Sequence, residues 1–140
     1  MRLTVTTPHG YLVQAEVEEL VAPGALGELG VLPGHIPLMS ALKPGVLWYR
    51  QKDGVRYLAV ADGIMQVARG DSDSSEVEVL VTRGAHGKDV NREAARQELA
   101  QLETELAKTK PEATAELGPL QDRRAWAAAQ IDAAERSQGR

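Results

Sequence analysis

Few residues in this sequence combine the type and the spacing that catalysis or metal binding requires. The chain has three histidines and no cysteine, so thiolate metal sites and cysteine nucleophiles are excluded. His9, His35 and His86 are too widely separated to form a recognisable metal-binding motif. Ser40 has no histidine at a spacing typical of an activated nucleophile. We therefore expect a protein that works by contact with other molecules, without a catalytic residue, a metal or a cofactor.

Two other features that could indicate a ligand site have simpler interpretations. The glycine-rich stretch from Gly24 to Gly34 lacks the Lys-Ser/Thr ending of a phosphate-binding loop, so its glycines indicate turns. Trp48, Tyr49 and Tyr57 could form an aromatic ligand patch, but in a hairpin such residues more often stack across neighbouring strands. Neither feature predicts a bound small molecule.

The composition narrows the range of partners. The 140 residues carry a formal net charge of -4, so no basic field is present to attract nucleic acid or an anionic membrane surface. No run approaches the roughly 20 apolar residues of a membrane span, and the first residues lack the apolar stretch of a signal peptide. We expect any association with a membrane to be peripheral and to depend on partner proteins.

The residues up to about Thr82 have a strand-like pattern. Val77, Val79 and Val81 occupy every second position, as in a strand with one buried face. Lys52–Gly54, between two apolar runs, predicts a tight hairpin because Asp-Gly supplies the positive φ that such a turn requires. Many short strands at close spacing predict an antiparallel β-sandwich or a barrel.

The composition changes between Gly84 and Asp89, after which β-branched residues give way to Ala, Glu, Gln, Arg and Leu. This change predicts a domain boundary. We expect a sandwich over residues 1–86 and a two-helix hairpin over residues 87–140, which makes the fold class α+β.

Capping and proline signals predict the bounds of the two helices. Asn91 is placed to cap a first helix that ends near Lys108. The second helix is expected to begin at Pro119, because proline suits the first helical position, and to end near Arg136.

The most distinctive stretch is Gly27–Leu38, which reads GELGVLPGHIPL. It has too much glycine and proline for a regular strand and is too apolar for a solvated loop. It closely resembles the hallmark Gly-Glu-Leu-Gly-x-x-Pro-Gly-His-x-Pro-Leu of the epsilon subunit family of F-type ATP synthases. Asp62–Val67 is similar to the Gly-Gly-Ile-Leu-Glu-Val strand of that family. The resemblance extends from Leu3 to about Leu106 and weakens over the second helix.

This resemblance implies a ten-stranded β-sandwich and a helical hairpin in a non-catalytic subunit of a proton-translocating complex. In the family, the sandwich binds the gamma subunit and the ring of c subunits at the foot of the central stalk. The hairpin either folds onto the sandwich or extends toward the alpha and beta catalytic subunits, where it inhibits ATP hydrolysis. The implied location is peripheral, on the cytoplasmic face of the inner membrane.

By position, the resemblance implies a partner-binding set made of Glu28, Leu29, Gly30, His35 and Ser40. Taken alone, Glu28 is interpreted as a solvated turn acid, but a carboxylate inside an apolar segment usually has a partner. His35 is flanked by two prolines that stiffen the backbone, and a structural or interface role is favoured over metal binding.

The second helix combines a run of alanines with four arginines, which are Arg123, Arg124, Arg136 and Arg140. The simplest interpretation of these arginines is a solvated face. The resemblance instead implies contact between Arg123, Arg124 or Arg136 and an acidic loop of the catalytic subunits. Because a buried methyl contributes only about 0.8 kcal/mol, we expect this helix to be stable in itself but weakly docked.

In some family members, ATP holds the folded hairpin through an Ile/Leu-Asp-x-x-Arg-Ala motif. The ungapped register places that motif on Val90–Ala95, where Asn91 replaces the aspartate and Ala94 replaces the arginine. A register shifted by two positions recovers Asp89 and Arg92, but it puts a glutamate where the small alanine belongs. We therefore predict that the chain does not bind ATP.

Two other classes of protein share parts of this pattern. A free-standing β-sandwich adaptor with a coiled-coil tail would have the same composition, but it gives no reason for the Gly27–Leu38 stretch. A ligand-binding or enzymatic sandwich requires converging polar groups, and the sequence contains no sign of them.

Overall fold

The computed structural model describes residues 1–70 and 74–138 as a β-rich body followed by two helices. The ten strands in this part of the chain are β1 (Arg2–Thr7), β2 (Gly10–Glu16), β3 (Glu19–Gly24), β4 (Gly27–Val31), β5 (Leu38–Leu42), β6 (Gly45–Gln51), β7 (Gly54–Val60), β8 (Gly63–Arg69), β9 (Ser75–Val81) and β10 (Gly84–His86). A 3-10 turn over Gly87–Asp89 leads to α1 (Arg92–Lys108) and α2 (Thr114–Gln138). The predicted α+β class is confirmed.

The strands follow the order β10-β7-β6-β3-β5-β8-β9-β1-β2, and β4 pairs with β3. These pairings are antiparallel, as predicted, except that β1 and β9 run parallel. No tight turn joins β1 to β9, so the hairpin rule that makes sequential strands antiparallel does not apply to them. A ring nitrogen of His86 on β10 lies 3.0 Å from the carbonyl oxygen of Leu12 on β2, which brings the two ends of the strand order together.

The predicted hairpin at Lys52–Gly54 connects β6 and β7. Gln51 pairs with Gly54 across a two-residue turn, and Gly54 has a φ of 136°. Arg56 donates a hydrogen bond to the Asp53 carboxylate at 2.8 Å, which ties the turn to the following strand. This prediction is confirmed.

Among the residues that the structure describes, buried apolar side chains form two separate clusters. The larger cluster fills the sandwich, and its largest side chains are Leu3, Leu20, Leu47, Leu58 and Met65. The smaller cluster lies between the sandwich and α2. Trp48 pairs with Tyr57 across β6 and β7, as predicted for cross-strand aromatics. Tyr49 instead points into the larger cluster, and burial raises the pKa of its hydroxyl.

The structure confirms the start of the first helix and corrects the start of the second. The Asn91 side chain accepts a hydrogen bond from the Ala94 N–H at 3.0 Å, which is an N-cap contact. Helix α2 begins at Thr114, so Pro119 lies inside it instead of at its first position. Proline lacks an N–H and removes one hydrogen bond, but near the end of a long helix this loss is small enough for the helix to continue.

Candidate partner-binding surfaces

The Gly27–Leu38 stretch forms β4, a loop over residues 32–37 and the first residue of β5. Glu28 is exposed on β4 opposite Pro23, and its carboxylate forms no ion pair within residues 1–70 and 74–138. Leu29 packs against the sandwich core. Gly30 is exposed, and a Cβ built there would meet no atom within 4 Å. The strand therefore directs Glu28 and Gly30 outward and Leu29 inward.

The loop after β4 is anchored to the sandwich at its centre. The Gly34 N–H donates a hydrogen bond of 2.9 Å to the hydroxyl of Ser75, a buried residue at the start of β9. The adjacent His35 is half-buried, and its Nδ1 lies 2.7 Å from the carbonyl oxygen of Ile36. Ile36 itself is exposed. This fixed loop presents an apolar side chain next to the histidine.

Ser40 does not lie on the outer face of β5. It pairs with the buried Met65, and its hydroxyl donates a hydrogen bond of 3.1 Å to the Ala41 carbonyl. The outward positions of this strand belong to Met39, which is 66% exposed, and to Ala41. Met39 is therefore the large side chain of β5 that is best placed to contact a partner protein.

The structure brings part of the predicted set together. A shallow depression between the β3–β4 turn and β5 is lined by residues that include Leu26, Glu28, Leu29, Met39 and Ser40. His35 follows the opposite end of β4 and does not line this depression. Leu26, at the tip of the β3–β4 turn, is fully exposed. The predicted residues therefore form two separate places on the surface, which are the depression that contains Glu28 and the loop after β4 that contains His35.

A row of side chains on the outer face of the sheet was not predicted from the sequence. In strand register, Ala41 is opposite Ile64, Ile64 is opposite Leu80, Leu80 is opposite Thr6, and Thr6 is opposite Tyr11. Ile64, Leu80 and Tyr11 are 43%, 48% and 68% exposed. We call these five residues the outer-sheet row. Its signal was present in β9, where Leu80 takes the outward position that Glu76 and Glu78 take earlier in the strand.

Helix α2 covers the β6–β7 face on the other side of the sandwich. Trp126, Ala129 and Ala133 pack against Val46, Ala59 and Ala61 in the smaller apolar cluster. Nearby, a Cβ at Gly87 would overlap the carbonyl oxygen of Ala133 and the hydroxyl of Ser137. The contact therefore depends on small side chains and on a close approach of two backbones.

The predicted arginines of α2 already have acidic neighbours. Arg123 and Arg124 reach Glu98 and Glu103 of α1 at 3.6 Å and 3.7 Å. Within α2, Arg136 pairs with Asp132 at 3.0 Å, and Arg140 lies outside the described residues. In this folded hairpin, the three arginines that the structure describes each contact a carboxylate of the same chain.

The described residues contain neither a metal-binding cluster nor a membrane-spanning helix. In residues 1–70 and 74–138, no three His, Cys, Asp or Glu side chains are grouped so that they could hold a metal ion. None of the helices in the same residues has the length and apolar character needed to cross a membrane.

Comparison with known proteins identifies the family. A family model described as the β-sandwich domain of the ATP synthase delta/epsilon chain matches residues 1–87. The chain belongs to this family. It is 39% identical over 113 residues to the ATP synthase epsilon chain of Citrifermentans bemidjiense, an alignment covering 80% of this chain and 78% of the relative. The epsilon chain of Geotalea daltonii is 35% identical over 112 residues, again covering 80% and 78%.

Two solved structures have a similar fold at low sequence identity. A chain of the mitochondrial ATP synthase of Euglena gracilis aligns with a TM-score of 0.67 and 18% identity, covering 98% of this chain and 78% of that one. A chain of the mitochondrial ATP synthase of Tetrahymena thermophila aligns with a TM-score of 0.53 and 18% identity. The alignment covers 65% of this chain and 69% of that one. The resemblance inferred from the Gly27–Leu38 stretch is confirmed by the family model and by the two epsilon chains.

We predict that Glu28 and His35 contribute little to folding. Glu28→Ala and His35→Ala should each leave the melting temperature of the isolated chain nearly unchanged. Within the described residues Glu28 forms no ion pair, and the hydrogen bond described for the His35 ring joins it to the carbonyl of the next residue. Val31→Ala, in the same strand but fully buried, is the matched control and should cost about 2 kcal/mol of unfolding free energy. Thermal and urea denaturation measure the melting temperature and the unfolding free energy. A loss of stability as large as that of Val31→Ala would show that the substituted residue has a structural role.

Proposed function

We propose that this chain is a non-catalytic subunit of the central stalk of an F-type ATP synthase. In this proposal, the sandwich couples the rotation of the gamma subunit to that of the c ring, and the hairpin restrains ATP hydrolysis. The observation that carries the proposal is the division of the sandwich surface. One sheet face is covered by the chain's own α2, while the other keeps the outer-sheet row exposed.

The outer-sheet row is the surface that we assign to the gamma subunit. Three large side chains, Ile64, Leu80 and Tyr11, remain exposed within one cross-strand row, although strands usually put polar residues on a solvated face. The row is largely apolar, with polar residues such as Glu78 and Gln66 beside it. An apolar strip with a polar margin suits a stable protein interface.

The depression at Glu28 is the surface that we assign to the c ring. The Glu28 carboxylate, which has no ion pair among the described residues, lies between the exposed Leu26 and Met39, and it can accept hydrogen bonds from polar loops while these apolar side chains exclude water. The two similar solved structures come from an F1/c-ring assembly and from a central stalk with its c ring, which supports this assignment. The membrane association that follows is peripheral, on the cytoplasmic face of the inner membrane, and is made through partners.

The hairpin is the part that we assign to regulation. We expect α2 to leave the β6–β7 face and to present arginines to the alpha and beta subunits. Its docking through alanines and a single tryptophan supports this proposal, because few large side chains must be exposed to water when it leaves. The lack of ATP binding stays a prediction, and Asn91 is accounted for by its N-cap contact. A free-standing adaptor remains the alternative, and it would not co-purify with the gamma subunit.

The first prediction of this proposal concerns the outer-sheet row. Leu80→Glu should weaken binding to the purified gamma subunit at least tenfold in calorimetry, because it places a charge in an apolar interface. The melting temperature of the isolated chain should change little, since Leu80 is 48% exposed. Glu78→Gln, on the same face of the same strand, is the control and should bind normally. Unchanged affinity of Leu80→Glu would exclude the row from the gamma interface.

The second prediction concerns the division into two parts, which we propose lies at about Gly87. A chain that ends there should stay folded and bind the gamma subunit, because the larger apolar cluster contains no helix residue. In the assembled enzyme, it should raise ATP hydrolysis without abolishing coupled synthesis. Circular dichroism and a coupled ATPase assay test the two expectations. If the fragment is unfolded, the proposed boundary is wrong. If ATP hydrolysis is unchanged, the hairpin does not regulate it.

A further inference from the structure

Ser75 is a polar residue at a core-facing position of the sandwich. Strand β9 turns every second side chain inward, and the other inward positions of the strand are valines. Apart from the aromatic Tyr49 and Trp126, Ser75 is the one buried polar residue in the part of the chain that the structure describes, and it is 3% exposed. A buried hydroxyl costs free energy unless it is hydrogen-bonded, so its partner indicates what the serine does there.

The partner of the Ser75 hydroxyl lies in the loop over residues 32–37. The Gly34 N–H donates a hydrogen bond to this hydroxyl at 2.9 Å, across 41 positions of the sequence. Two other bonds are internal to the loop, because the His35 N–H donates to the Leu32 carbonyl at 3.0 Å and the His35 ring lies 2.7 Å from the Ile36 carbonyl oxygen. Among the described hydrogen bonds, the one to Ser75 alone ties residues 33–36 to another element.

The loop needs little to hold it, because its backbone is already restricted. Pro33 and Pro37 have fixed φ angles, and Gly34 has a φ of 84°, in the left-handed region that glycine adopts without strain. Leu32 and Ile36 are 55% and 70% exposed. A single hydrogen bond can therefore set the orientation of two exposed apolar side chains.

The loop continues the sheet face that carries the outer-sheet row. Ala41 belongs to the row, and Met39, two positions earlier on the same face of β5, is 66% exposed. The loop ends directly before Leu38, the first residue of β5, so Ile36 lies beyond Met39 at the same end of the strand. A partner that binds the row can therefore reach the loop.

We propose that Ser75 is a positioning residue for the interface with the gamma subunit. Its hydroxyl holds the loop in the arrangement that binds, and the buried serine itself makes no contact with the partner. A loop that is already ordered does not have to be ordered during association, so the hydrogen bond favours binding without adding a contact. This inference rests on the proposed function, because it takes the gamma subunit as the partner of the outer-sheet row and of the adjacent loop.

Hydrogen exchange of the isolated Ser75→Ala chain tests whether this hydrogen bond holds the loop. The Gly34 amide should exchange about tenfold faster, because the bond to the serine hydroxyl protects it. The melting temperature should change little, since Gly34 is exposed and water can replace the serine as the acceptor of its N–H. Ser75→Cys keeps a side chain of similar size with only a weak acceptor, so it repeats the test without opening a cavity.

Ser137→Ala is the matched control for these variants. It removes a half-buried hydroxyl that donates a hydrogen bond of 2.8 Å to the Ala133 carbonyl within α2. The Gly34 amide should then exchange as in the wild type. Unchanged Gly34 exchange in Ser75→Ala and in Ser75→Cys would show that the hydroxyl does not hold the loop, and the inference would be wrong.

Binding kinetics with the purified gamma subunit separate positioning from direct contact. Ser75→Ala should slow association at least threefold and keep the dissociation rate within twofold of the wild type, because a smaller fraction of the molecules has the binding arrangement. Ile36→Ala shortens an exposed side chain of the loop, so it should speed dissociation and leave association nearly unchanged. Ser137→Ala should match the wild type in both rates.

The outcomes distinguish this inference from the proposed function. If Ser75→Ala associates at the wild-type rate, or loses affinity through faster dissociation alone, Ser75 is not a positioning residue. If Gly34 exchange speeds up while neither Ser75→Ala nor Ile36→Ala changes binding, the loop is outside this interface and the inference is wrong, although Leu80→Glu can still support the gamma interface. If the wild-type chain does not bind the gamma subunit, the proposed function fails and the inference fails with it.

Discussion

The contact between α2 and the β6–β7 face determines where both helices lie. It is made by side chains no larger than alanine on the helix, apart from Trp126, and by the backbone at Gly87. Small side chains allow a close approach that provides many dispersion contacts, but each buries little apolar area. Helix α1 packs mainly on α2, so its position follows from the same contact.

This arrangement separates the stability of the sandwich from the position of the hairpin. The larger apolar cluster is built only from strand residues and the loops between them, and the smaller cluster alone includes α2. Detachment of α2 would therefore expose Val46, Ala59 and Ala61 without opening the sandwich core. A fold with two independent clusters can keep its sandwich intact while its helices change position, which the proposed regulatory role requires.

Local signals predicted the local structure well. The Asp-Gly turn before Val55, the alternation in β9 and the cap at Asn91 each depend on neighbouring residues, and each was correct. The predicted start of α2 was wrong, because the free-energy cost of a proline inside a helix, here Pro119, depends on the length and packing of the helix. The outer-sheet row and the ion pairs between α1 and α2 could not be predicted, since they join residues whose proximity depends on strand order and on how the helices pair.

Hydrogen exchange in the isolated Gly87→Ala variant tests whether the hairpin docks independently of the sandwich core. A Cβ at Gly87 would meet the Ala133 backbone, so we expect α2 amides to exchange at least tenfold faster while β-strand amides keep their protection. Gly30→Ala is the control, because a Cβ there meets nothing within 4 Å. Full protection of α2 in the Gly87→Ala variant, or a parallel loss of protection in the strands, would contradict an independently docked hairpin.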